Sequence, residues 1–200
     1  MNVFVISPGR TATTTFSEAF ASLPGYTSLH ESRVTELGDR RVLYPNNHIE
    51  CDNRLVWFLC RLTKKYGDHS ILVVLKRDRE KIALSYNSRW RKILIMKAFS
   101  QGILMRGFRS NNLDVCREYA EYCYEQIDFY SKYWNQVIYI DVDDPESGIS
   151  ELLGVMDLMS HKNTVVEYVK NTRSNTNVGG IKSRLEALKY NFLCLLWDLK

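Results

Sequence analysis

An arginine stands directly before a run of small hydroxyl residues near the amino terminus: Arg10, then Thr11, Ala12, Thr13, Thr14 and Thr15, with Gly9 in front of them. A loop that enters a helix presents unpaired backbone N–H groups and the positive end of the helix dipole. Small residues let an anion come close, hydroxyls add donors, and the arginine adds charge, so the segment has the chemistry of a phosphate cradle. A second cation, Arg77, precedes Asp78, and Ser85 follows eight positions after it, about two helical turns on. An arginine fork matches phosphate oxygens bidentately, and a serine hydroxyl is a compact extra donor. Each half alone also has a plainer reading. The first fits a helix start capped by threonine; the second fits a solvated charge pair followed by an ordinary helical serine.

The first segment is not the common triphosphate loop, G-x-x-x-x-G-K-[ST], in which glycine and lysine stand directly before the magnesium-holding hydroxyl. Here the cation comes first and the hydroxyls trail it. That order resembles the 5′-phosphosulfate loop of the sulfotransferases that use 3′-phosphoadenosine-5′-phosphosulfate (PAPS). There a Lys or Arg precedes a Thr/Ser-Gly-Thr/Ser-Thr run. The arrangement R-[DN]-x-x-x-x-x-x-S, met here as Arg77-Asp78 and Ser85, is similar to the family's 3′-phosphate site. The resemblance is specific over residues 3–20 and 71–90 and is otherwise a matter of strand and helix order. One departure is Ala12, where many members carry glycine; a positive φ there would strain it.

The resemblance implies a P-loop-like sulfotransferase architecture and PAPS as the sulfuryl donor. It implies that residues Gly9, Arg10, Thr11, Ala12, Thr13, Thr14 and Thr15 hold the 5′ end, and that Arg77 and Ser85 hold the 3′-phosphate. Sulfuryl transfer needs a base for the acceptor proton and a cation for the charge that grows on the leaving oxygen. The family uses His or Glu for the first and Lys or Arg for the second. That makes Arg10 the catalytic cation and sets Glu31 and His30 in competition for the base. Glu31 is favoured because some members place a catalytic Glu at similar spacing from the loop. Without the family, His30 reads as a satisfied polar residue at a strand end. No metal is expected, because cations and backbone donors carry the electrostatics. The acceptor is expected to be a small molecule with a hydroxyl or amine, with carbohydrate favoured by family habit alone. A kinase using ATP is the alternative enzyme, opposed by the missing G-K-[ST]. A nucleotide-binding module without turnover is the other alternative.

These residues need a scaffold that brings distant segments together. Residues 3–6 (VFVI) and 71–75 (ILVVL) are continuous apolar runs of the kind that form buried parallel strands. Asp78 is suited to cap the helix that follows. The expected order is strand 3–7, helix 13–23, strand 26–30, helix 52–66, strand 71–76 and helix 79–93. Helical stretches from about 94 to 133, a strand at 137–142 and mainly helices complete it. Strands alternating with helices imply an α/β fold with a parallel sheet flanked by helices and a helical C-terminal half. Ligands in such sheets bind along the carboxyl edge, where Arg10, His30, Glu31 and Arg77 would meet.

Two hundred residues with 45% hydrophobic and 25% charged content suit a single domain spanning residues 1–200. A net charge of +4 suits an anionic ligand and is too weak to argue for nucleic acid. The five cysteines (Cys51, Cys60, Cys116, Cys123 and Cys194) contain no C-x-x-C pair, so free thiols in a reducing compartment are expected. No signal peptide or membrane span is expected. The run at 181–199 is too charged to cross a bilayer and reads as a terminal helix. A cytoplasmic location follows from that reading.

Weaker signals remain. Residues 47–55 (NHIECDNRL) read as polar groups before a helix capped by Asp52 or Asn53, or, through Glu50, Asp52 and Arg54, as an acceptor pocket. Residues 93–109 read as a lid, an acceptor contact or core. The polar loop 170–180 reads as a connector or, with Arg173, Gly179 and Gly180, as a cover for the nucleotide. His48, His69 and His161 have no supporting neighbours in the sequence.

Overall fold

A computed structural model describes residues 1–106 and 111–172. They form an α/β fold around a five-stranded, all-parallel sheet. The strands are β1 (Val3–Ile6), β2 (Thr27–His30), β3 (His48–Cys51), β4 (Ile71–Lys76) and β5 (Gln136–Asp141). Seven α-helices flank the sheet among the described residues. They are α1 (Thr13–Phe20), α2 (Leu59–Tyr66), α3 (Arg79–Asn87), α4 (Leu94–Lys97), α5 (Asn112–Ser131), α6 (Glu146–Val155) and α7 (Lys162–Asn171). The expected loop 170–180 beyond residue 172, the terminal helix at 181–199, Cys194 and residues 107–109 of the apolar-basic segment lie outside the described residues.

The strand order is β2-β3-β1-β4-β5. β1 is central, with Val3 level with Ile49 of β3 and Ile71 of β4. Both of its faces are covered, which is why its sequence is apolar throughout. Phe4, Ile6, Leu72 and Val74 pack with α2, α3 and α5 on one side. Val3, Val5, Val73 and Leu75 pack with α1, α6 and α7 on the other. The two faces decide where a ligand can go. The chain leaving β1 turns into α1 on one face, while the chains leaving β3 and β4 turn into α2 and α3 on the opposite face. The carboxyl end of β1 therefore lies between loops that diverge, and such a point opens a crevice in a parallel sheet.

The largest difference from the sequence expectation is β3. The sequence predicts a polar lead-in to a helix at residues 48–51, yet they form a fully buried strand beside β1. Its inward residues His48 and Glu50 are polar, so it lacks the apolar run that marks β1 and β4. His48, expected to lack supporting neighbours, bonds Glu50 at 2.8 Å and Thr27 at 2.9 Å. The expected helix 52–66 is a 3₁₀ segment at Asn53–Phe58 followed by α2. Asp52 does cap it, accepting from the Arg54 N–H at 2.7 Å. The expected helix 79–93 ends at Asn87; Asp78 caps it as expected, accepting from the Lys81 N–H at 2.8 Å. Among the described residues, Cys51, Cys60, Cys116 and Cys123 are free thiols. None of the described helices is long and apolar enough to cross a membrane.

Candidate functional site

The turn between β1 and α1 is held from inside. Ser7 Oγ accepts from the Gly9 N–H at 3.1 Å and from the Thr11 hydroxyl at 2.6 Å. Thr11 thus bonds the loop itself, and its side chain is buried. Tyr86 donates its hydroxyl to the Pro8 carbonyl at 2.7 Å from the α3 side. Gly9 has φ +90°, and a Cβ there would stand 2.2 Å from the Tyr86 oxygen and 2.9 Å from the Asn53 amide nitrogen. Only glycine fits this position, for backbone and for space.

Arg10 and Ala12 also lie in the left-handed region, at φ 60° and 59°. Neither has the freedom of glycine, and each such residue costs on the order of 1–3 kcal/mol. The strain expected at Ala12 is therefore present. Glu31, at φ 51°, is a third case on the same side of the molecule. Strain of this kind gathers where backbone geometry serves a ligand. The helix that follows starts without a side-chain cap and has no acidic residue in its first turn. Its positive end is left to the cleft.

The residues of the two predicted phosphate sites meet. Arg10 Nε donates to Ser85 Oγ at 3.0 Å, although 75 positions separate them. Arg77 Nη1 donates to the Arg10 carbonyl at 2.6 Å, and the Arg77 N–H is held by the Tyr124 hydroxyl at 3.0 Å. Arg77 Nε is buried without a partner. A buried donor left unpaired is costly, and an anion would relieve it. Burial and the nearby Arg89 push the Arg10 guanidinium below its ordinary value; Arg77 adds to the effect, and Tyr86 opposes it. Like charges crowded in this way favour an anionic ligand among them.

His30 and Glu31 stand on the other flank, at the end of β2. The His30 Nε2 lies 3.1 Å from the Thr13 hydroxyl and 3.4 Å from the Thr14 hydroxyl. Glu31 forms an ion pair with Arg54. Both pairs tie the β2 end to neighbouring loops, Thr13 and Thr14 from α1 and Arg54 from the turn after β3.

These loops and strand ends border one cleft of about 860 Å³, within the roughly 300–1,000 Å³ of small-molecule sites. Gly9, Arg10, Thr11, Ala12, Thr13, Thr14, Thr15, His30, Glu31, Arg77 and Ser85 all contribute. Of the suggested acceptor residues, Arg54 lines the cleft, whereas Glu50 and Asp52 are fully buried and do not. From segment 93–109, read as lid, acceptor contact or core, Ile93 and Ile95 are also in the lining, whereas Met96 and Phe99 belong to the core; Lys170 lines the cleft too. Sequence reasoning missed Asn53 and Tyr86 as site residues, and it reads the basic run 89–92 as a solvated helix face beside the site, whereas Arg89 lines the cleft. Arg89 was the findable one: in the expected helix 79–93 it stands four positions after Ser85, on the same face, although α3 in fact ends at Asn87. Among the described residues, no three His, Cys, Asp or Glu side chains are grouped to hold a metal ion. No protein-family model matches the chain, and no curated protein matches it.

Proposed function

We propose that this chain is a sulfotransferase that moves a sulfuryl group from PAPS to a hydroxyl or amine acceptor in the cytoplasm. The observation that carries the reading is the convergence of Arg10, Arg77 and Ser85 beside the uncapped start of α1. Opposite them, Glu31 and His30 supply two candidate bases. The resemblance over residues 3–20 and 71–90 adds the identity of the donor. PAPS brings an activated sulfuryl group and two separate anionic ends. The N–H groups and hydroxyls at the start of α1 receive the 5′ end. Arg77, with its unpartnered Nε, and Ser85 receive the 3′-phosphate.

In the transfer step the acceptor oxygen or nitrogen forms a bond to sulfur. The bond from sulfur to the bridging phosphate oxygen breaks, and its electron pair leaves with 3′,5′-ADP. Glu31 takes the acceptor proton. Arg10 stabilises the charge growing on the leaving oxygen. Carbohydrate remains the favoured acceptor by family habit.

The test is release of 3′,5′-ADP from PAPS across hydroxyl- and amine-bearing acceptors, sugars among them, with and without EDTA. Turnover that EDTA leaves within about twofold is expected, because cationic side chains and backbone donors do the electrostatic work. Turnover only with ATP and magnesium would move the chain to the kinase reading.

A further inference from the structure

The strand that ends at His30 and leads into Glu31 is held by polar contacts, not by an apolar face. β2 is an edge strand of four residues, paired on one side only. None of Thr27, Ser28, Leu29 and His30 is buried, and Leu29 is 50% exposed. Apolar packing, which fixes β1 and β4, is missing here. Yet a proton acceptor must be held within a fraction of an ångström, and a misplacement of about 1 Å can cost a factor of roughly 10².

Besides the ladder to β3, the Ser28 bond to the Ser17 carbonyl at 2.8 Å and the contacts of His30 and Glu31 themselves, a buried polar pair on β3 takes the place of packing. The Glu50 carboxylate is fully buried. Its Oε1 accepts the Ser32 N–H at 2.7 Å and its Oε2 accepts the Ser32 hydroxyl at 2.6 Å. Oε2 also lies 2.8 Å from His48 Nε2. His48 in turn lies 2.9 Å, through Nδ1, from the Thr27 hydroxyl. Thr27 opens β2, and Ser32 follows Glu31. The pair therefore grips both ends of the segment that bears the base. A buried carboxylate is poor evidence of stabilisation, since apolar residues of like volume often do as well. Both its oxygens reach the residue next to the strained Glu31.

We propose that Glu50, backed by His48, is a positioning residue that sets the left-handed turn at Glu31 and so aims His30 and Glu31 at the cleft. The use of that aim in proton transfer rests on the sulfotransferase reading; the tether itself does not.

The experiment uses Glu50→Gln and the surface-side variant Ser32→Ala in the full chain. Glutamine keeps the shape but cannot accept with both ends. Amide hydrogen exchange is read along the chain, together with the imidazole NMR signals of His30. We expect exchange of the backbone amides at positions 31 and 32 to rise about tenfold or more in either variant, beyond any change in α1 and α5. The His30 signals should move with it. If Glu50→Gln fails to fold, Ser32→Ala, which leaves the buried pair intact, decides alone. Exchange that stays unchanged, or rises equally everywhere, with His30 signals unmoved, would overturn the proposal. Titration of the native chain with 3′,5′-ADP runs alongside. Failure to bind it would count against the sulfotransferase reading and leave the exchange result to judge the tether.

Discussion

Arg10→Ala is expected to lower kcat by roughly 10²–10³, the loss of about 2.7–4 kcal/mol typical for one preorganised donor to a developing anion. Its guanidinium is already fixed by Ser85, and its carbonyl by Arg77. The charge needs no reorganisation when the leaving oxygen becomes an anion. Burial, with Arg89 and Arg77 close by, pushes the Arg10 guanidinium below its ordinary value, and an anion offsets that cost. Affinity for 3′,5′-ADP should fall as well, because Ser85 loses the group that orients its oxygen. Steady-state kinetics and a nucleotide titration on the same variant check both parts. Unchanged kcat with weakened binding would make Arg10 a binding residue only.

Glu31→Gln is expected to lose turnover by roughly 10²–10⁴, the usual span for a general base, while keeping near-native affinity for 3′,5′-ADP. Its carboxylate is paired with Arg54. His30→Asn should behave differently. The imidazole bonds Thr13 and Thr14 at the start of α1, so its loss should disturb nucleotide affinity together with rate. The two variants are compared in kcat and in Kd for 3′,5′-ADP. An active Glu31→Gln beside a dead His30→Asn with native affinity would make His30 the base. If both remain active, neither end of β2 supplies it.

The parts of the fold that were legible share one trait: their side chains are matched locally. β1 and β4 are apolar on both faces because helices cover both. Asp78 precedes its helix and caps it. Gly9, Arg10 and the threonines lie within one turn, so their grouping needed no tertiary information. β3 was illegible for the opposite reason. Besides each other, His48 and Glu50 are satisfied by Thr27 and Ser32, 21 and 18 positions away. Before those partners are known, H-I-E-C reads as a polar connector. Asn53 and Tyr86 were missed likewise: their role is to press on Gly9, which only the meeting of β1, β3 and α3 reveals. The direct Arg10–Ser85 bond was also beyond sequence. The two segments were read as separate anion sites, and only the β1–β4 register makes them neighbours.

The central claim is that this cleft reads a nucleotide carrying a 3′-phosphate, and titration calorimetry with 3′,5′-ADP and 5′-AMP tests it most directly. The two ligands differ by the one group that Arg77 and Ser85 are proposed to hold. A charge-assisted hydrogen bond is worth about 1.5–3 kcal/mol, so 3′,5′-ADP should bind at least about tenfold more tightly, since about 1.4 kcal/mol is one decade of affinity. Arg77→Ala should erase most of that ratio. Equal affinity for the two nucleotides in the native chain would contradict the account.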